Sequence, residues 1–311
     1  MLIRSFVIGC FALASTATGF ANGVAGNWSH IALQDLNGKP ALFGEILSGK
    51  PVYLKFWATW CQTCLQQMPH FQGATEKYKN ELDIFLINID INEDVHRIEQ
   101  VKQRFNLDAP IFLDVSGEFS RQVGLVGTPY HIVLDKQGNM LYRGHEANEA
   151  LNSALAEAAA GRAGKSEDRA SADEFDVRPT ALSLENRDEA VFFLAPWCDW
   201  YLEETRPEVS KNCIAGQKLI NELSAKYPAL TWRGISTRLW VGEKELIDYE
   251  EKYKVPFGLE IDKSNELHVR YKIKYYPTLI VFKNGKEEFR STLFEDGAKI
   301  DAMLQGLFSP T

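Results

Sequence analysis

This sequence lacks an excess of basic residues, an apolar segment long enough to span a membrane and a set of cysteines at metal-ligand spacing. Its 34 Lys and Arg are outnumbered by 42 Asp and Glu, for a formal net charge of −8, so no basic stripe is available for a phosphate backbone and no nucleic acid is expected as partner. C-x-x-C occurs once, and the six histidines contain no H-x₃₋₅-H pair, so no zinc site or other cofactor is expected. Beyond the N-terminus, no segment is apolar enough to span a membrane.

The N-terminus has the layout of a secretory signal. "MLIRSFVIGCFALASTATGFANG" places one arginine before an apolar run from Ser5 to Leu13, followed by small residues, which predicts a signal peptide over residues 1–21. An uncleaved membrane anchor is the rival interpretation, but the run is shorter than the roughly 20 residues that a span needs. We therefore expect an exported, periplasmic protein. Cleavage removes Cys10 and leaves four cysteines, whose even number suggests pairing in an oxidising compartment.

Residues 28–160 have the pattern of an α/β domain. Asn37-Gly38 predicts a hairpin turn, "PVYLKFW" and "LDIFLINID" are typical of buried strands, and "EDVHRIEQVKQRFN" has apolar residues at helical spacing. "YHIVLDKQGNMLYRG" predicts a strand, a turn and a strand, and "NEALNSALAEAAA" predicts a closing helix. Residues 161–178 lack periodicity and are rich in small and charged residues, which indicates a linker.

Residues 179–308 repeat this plan. "EAVFFLAPWCDW" parallels "YLKFWATWCQT", and "YKIKYYPTLIVFKNGKEEFR" parallels "VGLVGTPYHIVLDKQGNMLYRG". The sequence therefore predicts two copies of one α/β unit, with an internal repeat that is stronger in fold than in sequence. The linker suggests that the two copies are free to separate.

The motif Cys61-Gln62-Thr63-Cys64 allows three uses: a metal half-site, a structural bridge or a redox centre. A metal site lacks the remaining ligands, and a bridge over two intervening residues removes little entropy from the unfolded chain. A strand precedes the motif and a helix follows it. The helix N-terminus stabilises a thiolate on the first cysteine, and the second stands one turn later, where it can resolve a mixed disulfide. Redox chemistry is the favoured interpretation.

Residues 28–150 resemble the exported thioredoxin-like disulfide reductases of the TlpA, ResA and CcmG/DsbE type. The resemblance rests on "LQDLNGKPALFGEILSGKPVYLKFWATWCQTC", the downstream Pro69, and Gly127-Thr128-Pro129 before the last hairpin. It implies tandem thioredoxin-like domains, each a central mixed sheet flanked by helices. It also implies that Cys61 attacks, that Cys64 resolves, and that Pro129, preceded by Thr128, is a cis-proline facing the disulfide. A membrane thiol donor of the CcdA/DsbD type and client proteins, as in cytochrome c maturation, follow from the resemblance alone.

Two positions depart from that family pattern. Gln67 stands three residues after the second cysteine, where an acid is frequent, and Lys55 stands six residues before the first, at a buried polar position. Lys55 either extends to the surface beside a neutral Gln67, or its ammonium favours the thiolate and makes the disulfide more oxidising. These alternatives leave the direction of electron flow open.

The second domain keeps Trp197-Cys198 but has Tyr201 at the resolving position, and Cys213 follows 15 residues after Cys198. A divergent thioredoxin-like domain is expected, with Pro277 as its cis-proline candidate. We expect Cys198 to pair with Cys213, as a structural bridge or as a second redox pair. The aromatic residues at 197, 200 and 201 form either a client-docking patch or part of the core.

Two other functions compete with client-disulfide reduction. One is a Sco-like copper-handling protein in which His131, two residues beyond Pro129, joins the cysteines. The other is a non-enzymatic adaptor or chaperone that binds clients through its degenerate half. Apocytochromes, copper-site proteins and isomerases are all compatible clients.

Overall fold

The computed structural model describes residues 28–163 and 187–308, which we call the first unit and the second unit. The predicted signal peptide at 1–21 and most of the predicted linker at 161–178 lie outside the described residues, so both boundaries stay predictions. None of the helices in the described ranges is both long enough and apolar enough to cross a membrane.

The first unit contains a seven-stranded mixed sheet in the order β2-β1-β5-β4-β3-β6-β7. Its strands are β1 (Ala32–Asp35), β2 (Pro40–Leu42), β3 (Val52–Trp57), β4 (Asp83–Asn88), β5 (Ile111–Leu113), β6 (Tyr130–Leu134) and β7 (Met140–Gly144). Its helices are α1 (Gln62–Gln66), α2 (Met68–Tyr78), α3 (Val95–Arg104), α4 (Glu118–Gln122) and α5 (Glu149–Ala159). β3 pairs with β4 in parallel and with β6 antiparallel, so β3 is an interior strand of the sheet.

The second unit contains a five-stranded mixed sheet in the order β10-β9-β8-β11-β12. Its strands are β8 (Glu189–Leu194), β9 (Thr231–Ser236), β10 (Gly258–Ile261), β11 (Thr278–Lys283) and β12 (Lys286–Ser291). Its helices are α6 (Cys198–Tyr201), α7 (Pro207–Lys226), α8 (Glu243–Tyr253), α9 (Glu266–Arg270) and α10 (Gly297–Leu307). This order matches β5-β4-β3-β6-β7, with the same parallel and antiparallel pairings, so the predicted repeat of an α/β fold is confirmed.

Local sequence signals account for these elements. All six residues of β3 and of β8 are buried, as expected for central strands covered on both faces. The side chains of Asp94, Asn148 and Asp296 accept backbone hydrogen bonds at the starts of α3, α5 and α10, which satisfies otherwise unpaired amides. Pro69 lies in the first turn of α2, where proline is tolerated, so the helix after the motif divides at Gln67.

The two units do not lie apart, contrary to the expectation from the linker. Buried side chains of both units form one hydrophobic cluster, in which Trp197, Ile235 and Leu239 join Trp60 and Cys61. Burial of apolar surface is the main favourable term in association. A linker composition predicts mobility only where the domains have no shared apolar surface, and here they share one.

The contacts between the units follow an approximate two-fold symmetry. The amide of Asn92, four residues after β4, donates to the carbonyl of Lys274 at 2.8 Å, and the amide of Trp240, four residues after β9, donates to the carbonyl of Val126 at 2.8 Å. Lys274 and Val126 each lie three residues before a cis-proline. The two units therefore meet through the same face, as subunits do in an isologous dimer.

Candidate active site

The cysteines of the C-x-x-C motif lie where β3 ends and α1 begins. Cys61 is the residue that caps α1, and its sulfur accepts a hydrogen bond from the Cys64 amide at 3.1 Å. The two cysteines form a disulfide with 5.2 Å between their Cα atoms. A sulfur in this position is stabilised as a thiolate when the disulfide is reduced, because a backbone N–H points at it.

Each unit contains a cis-proline loop. The Thr128–Pro129 and Tyr276–Pro277 peptide bonds are both cis. The carbonyl oxygen of Pro129 accepts a hydrogen bond from the His145 ring at 2.7 Å, which holds the loop against β7. The hydroxyl of Thr128 is buried and has no hydrogen-bond partner among the described residues.

Lys55 is buried, so the interpretation in which it extends to the surface is wrong. Its side chain is fully inaccessible, and its ammonium donates to the Gln67 side-chain oxygen at 3.2 Å. Burial lowers the pKa of Lys55 to about 7, because a low dielectric disfavours the charged form. Gln67 in turn donates to the His145 carbonyl at 3.1 Å. Gln67 is therefore the centre of a partly buried polar network and not a plain helix residue.

His131 belongs to the same network. Its Nε2 lies 2.8 Å from the Gln67 side-chain oxygen, and its Nδ1 lies 2.8 Å from the hydroxyl of Tyr53. Burial lowers the pKa of His131, so the neutral ring donates one hydrogen bond and accepts the other. Both ring nitrogens are engaged, which leaves neither free for copper. Within the described residues no cluster of three metal-ligating side chains occurs.

Side chains of the second unit cover the redox motif. Cys61 and Cys64 are both completely inaccessible to solvent. The hydroxyl of Tyr201 accepts a hydrogen bond from the Gln62 amide at 3.3 Å. The indole of Trp240 lies against Gly127, where a Cβ atom would come within 2.3 Å of Nε1. Both contacts fall on the motif and on the cis-proline loop, so the face that carries the chemistry is closed.

An aromatic cluster fills the boundary above the motif. The rings of Trp60 and Trp197 stack with centroids 5.1 Å apart, and the ring edges of Tyr201 and Trp240 meet Trp60 at 6.4 and 6.0 Å. Trp197 is buried, whereas Trp200 is 62% exposed. The predicted alternatives for these aromatic residues therefore divide: Trp197 belongs to the core, Tyr201 lies half-buried on the motif, and Trp200 faces solvent.

A buried carboxylate supports the turn before Cys61. Glu93 accepts hydrogen bonds from the amide and, at 2.6 Å, from the hydroxyl of Thr59, and Asn88 also donates to it. Burial raises the pKa of Glu93 to about 7. Arg206 of the second unit donates to the Thr59 hydroxyl at 2.5 Å. The position of the motif turn is thus coupled to both units.

Cys198 and Cys213 form a disulfide that joins α6 to the second turn of α7, with 6.2 Å between their Cα atoms. Cys198 is inaccessible and Cys213 nearly so. On the same helix, Gly216 lies against the ring of Pro277. The bridge therefore lies beside the second cis-proline, and its role, structural or redox, stays a prediction.

Sequence reasoning missed Tyr53, Glu93, His145 and Trp240. A buried tyrosine on β3 and an acid after β4 carry no motif of their own. Trp240 is the exception, because it stands at the same distance after β9 as Asn92 does after β4. The internal repeat of the sequence therefore indicates that the two positions correspond.

Comparison with known proteins finds a family model and relatives that match the first unit. The model of the Redoxin family matches residues 18–159. Thiol-disulfide oxidoreductase ResA of Bacillus thuringiensis subsp. konkukian is 29% identical over 128 residues, which cover 40% of this chain and 73% of that protein. The ResA protein of Halalkalibacterium halodurans is 30% identical over 112 residues, or 36% of this chain and 62% of the relative.

Two solved structures align with a similar share of the chain. StoA from Bacillus subtilis has a TM-score of 0.34 at 20% identity and covers 40% of this chain and 92% of that chain. A secreted Mycobacterium tuberculosis disulfide oxidoreductase homologous to E. coli DsbE has a TM-score of 0.37 at 20% identity, covering 42% and 97%.

Proposed function

We propose that the protein is an exported thiol–disulfide oxidoreductase that reduces disulfides of client proteins. The Redoxin family model matches the part of this chain that carries Cys61 and Cys64, and the same part is similar to ResA thiol-disulfide oxidoreductases. The observation that carries this proposal is the Cys61–Cys64 disulfide itself, with Cys61 capping α1 and accepting the Cys64 amide hydrogen bond. This arrangement has what dithiol exchange needs: a stabilised thiolate and a second thiol within bonding distance.

The proposed reaction consumes a dithiol and a client disulfide. The Cys61 thiolate attacks one sulfur of the client disulfide, an S–S bond forms between Cys61 and the client, and the other client sulfur leaves as a thiolate. Cys64 then loses its proton and attacks the Cys61 sulfur. The Cys61–Cys64 bond forms and the second client thiolate leaves. Two electrons pass from the protein to the client, and each released thiolate takes up a proton according to pH.

The cover of the second unit adds a step to this reaction. In-line attack requires the client sulfur to approach Cys61, which is inaccessible behind Tyr201 and Trp240. The Tyr201 hydroxyl makes one hydrogen bond, of 3.3 Å, to the motif, and its ring packs on Trp60 and Trp240. Displacing this one side chain breaks fewer contacts than separating the whole boundary. We propose that client binding displaces Tyr201 first.

A supply of electrons is needed after each turnover, because the reaction leaves the protein oxidised. By resemblance to its family, a membrane thiol donor of the CcdA/DsbD type reduces the Cys61–Cys64 disulfide. Export through the N-terminal signal places the protein in the compartment where client disulfides form. Cytochrome c maturation is one pathway in which such clients arise.

The activity is tested by insulin-disulfide reduction with dithiothreitol as electron source. We expect Cys61→Ser to reduce the catalysed rate by about 100-fold or more, to the reagent background, because the proposed reaction begins with attack by the Cys61 thiolate. Cys64→Ser should instead accumulate a mixed disulfide that mass spectrometry detects, because the first attack proceeds and the second cannot. Full insulin reduction by the Cys61→Ser protein would refute the proposed function.

The direction of electron flow is tested by the reduction potential of the Cys61–Cys64 pair against glutathione. We expect a reduction potential of about −270 mV, because a reductant must hold its electrons less tightly than its clients do. Protonation of Lys55, on the strand that leads into the motif, would oppose this, since a cation near the thiols favours the reduced state. A potential near about −120 mV would make the protein an oxidant, with the same residues running the reaction in reverse.

A further inference from the structure

A cavity of about 490 Å³ lies between the two units, beside the redox motif. Its first-unit wall contains Thr63, from inside the C-x-x-C motif, and Thr128, which precedes the cis-proline. Thr63 stands between the two reacting cysteines in the sequence, and Thr128 belongs to the cis-proline loop. The cavity falls in the size range of about 300–1,000 Å³ that is typical of ligand sites, and it adjoins the chemistry.

One polar group in this wall has no partner. Thr128 is 3% exposed, and its hydroxyl makes no hydrogen bond to any described residue. An unpaired buried hydroxyl is costly, so a ligand or water that pairs with it is expected. A peptide backbone passing the cis-proline loop has carbonyl oxygens that this hydroxyl can satisfy.

The opposite wall is aromatic and comes from the second unit. Trp197, Trp200, Tyr201, Trp240 and Tyr249 all line the cavity. Trp200 is mostly exposed and marks its mouth. Such walls favour large apolar or aromatic side chains, which gain by leaving water and by ring contacts.

The charged part of the cavity is acidic. Glu245 and Asp248 on α8 lie at the cavity, where Asp248 is paired with Lys244. Lys252 also lies there, and its ammonium is bound to Asp199 at 2.6 Å. Along residues 243–252, five carboxylates stand against two lysines. The resulting field attracts a positively charged ligand and repels an acidic one.

We infer that this cavity is a client-recognition site, in which the second unit selects extended segments that carry a large apolar side chain and a basic residue beside the reacting cysteine. This inference rests on the proposed function, since it assigns the substrate class of the same site. Tyr201 connects recognition to chemistry, because it lines the cavity and also contacts the Gln62 amide next to Cys61. An apolar side chain that enters the cavity takes the place of the phenol and uncovers the sulfur.

The inference is tested with three synthetic peptides, each holding one cysteine as a mixed disulfide with glutathione. The first carries leucine and tryptophan before the cysteine and two lysines after it. The second replaces leucine and tryptophan with serines, and the third replaces the lysines with glutamates. The pre-reduced full-length protein is mixed with each, and the second-order rate constant of a single turnover is measured.

We expect the first peptide to react about tenfold faster than the second, a ratio typical of an apolar pocket, and about fivefold faster than the third. The advantage over the third peptide should shrink at about 0.5 M salt, because salt screens the charges of α8. Trp200→Ala should reduce the tenfold preference to about threefold or less. Leu293→Ala, which removes another exposed apolar side chain, at 71% exposure and outside the cavity, is the matched control and should leave both ratios unchanged.

Equal rates for the three peptides, with insulin reduction still dependent on Cys61, would overturn the inference and leave the proposed function intact. Insulin reduction that survives Cys61→Ser would instead overturn the proposed function. A dimer of the full chain that dissociates on Trp200→Ala, without a change in peptide preference, would identify a second copy as the occupant and also overturn the inference.

Discussion

Lys55 is a normally charged residue in an environment that disfavours its charge. Its side chain lies on the central strand with no exposure to solvent, and its neighbours there are the neutral acceptor of Gln67 and the ring of His131. His131 is its direct partner in the β3–β6 register. A neutral amine is stable in such a place, whereas an ammonium is costly. Protonation of this amine is therefore opposed by the fold.

This burial predicts a pH dependence of stability. Because the pKa of Lys55 is lowered to about 7, the unfolded chain holds a proton that the folded protein lacks between about pH 7 and 10. The free energy of unfolding therefore rises with pH across that window. We expect Lys55→Met to stabilise the protein by about 3 kcal/mol at pH 6 and by much less at pH 10, measured by urea denaturation.

The exposed Lys102 on α3 gives the matched control. Lys102→Met should change the free energy of unfolding by less than about 0.5 kcal/mol at either pH. A Lys55→Met protein that is less stable than the parent at pH 6 would mean that the amine is stabilised by its partners and that the explanation from burial is wrong.

The sequence predicted the motif residues but not this network. Cys61, Cys64 and the turn before them follow from short-range signals, since a strand, a C-x-x-C and a helix adjoin along the chain. Lys55 and His131 are 76 residues apart and meet only because β3 pairs with β6 in one particular register. Register depends on the whole sheet, so single-residue patterns left both of the alternatives for Lys55 open.

At the scale of elements, the α6–α7 segment differs from its counterpart in the first unit. In the first unit a short helix leads directly into α2, whereas in the second unit α6 ends at Tyr201 and residues 202–206 precede α7. The Cys198–Cys213 disulfide spans this segment. The bridge ties α6 to α7 across the irregular residues 202–206, which favours a structural role.

We therefore expect the Cys198–Cys213 bond to resist mild reduction that opens Cys61–Cys64. Mass mapping after a graded dithiothreitol treatment measures both. Replacing both Cys198 and Cys213 by alanine should lower the free energy of unfolding by about 3 kcal/mol, against about 2 kcal/mol for the same change at Cys61 and Cys64, because the closed loop is longer. If both bonds open equally readily, the second pair is a redox partner. A bond between the units in the same maps would contradict the pairing.

At the scale of the whole molecule, the closed boundary depends on one small residue. Gly127 admits the Trp240 indole, and any side chain there would displace it, because a Cβ would lie 2.3 Å from Nε1 and 2.7 Å from Cδ1. The adjacent amide of Trp240 is bonded to the Val126 carbonyl. Displacement of the ring therefore also strains that backbone contact.

Gly127→Ala should open this boundary. We expect the rate at which iodoacetamide alkylates Cys61 in the reduced protein to rise about tenfold. A decrease of about 1.4 kcal/mol in the free energy that favours the closed boundary gives that factor. Gly73→Ala on α2, where a Cβ meets no atom within 4 Å, is the control and should leave the alkylation rate unchanged. An unchanged rate in Gly127→Ala would mean that Trp240 does not protect the sulfur.

The repeat of the fold was predictable, but the contact between the copies was not. Each copy has its own strands, turns and Pro-containing loop, which short windows of sequence reveal. Trp60 and Trp197 stack although they are 137 residues apart in the sequence. An apolar face that packs against another domain has the same sequence pattern as one that packs against the core of its own domain. The linker composition then suggested separation that the shared cluster prevents.

The two-fold arrangement of the boundary has a consequence for the history of the chain. If the halves arose by gene duplication, the second copy lost its C-x-x-C while it kept a cis-proline loop and the tryptophan before Cys198. Both kept features now serve contact: Tyr276 and Lys274, just before Pro277, bind Asn92, and Trp197 stacks on Trp60. Selection that once maintained a reactive surface would continue to act on the same positions after the second unit had lost its redox activity. The reason is that the first unit had come to pack against the side chains at these positions.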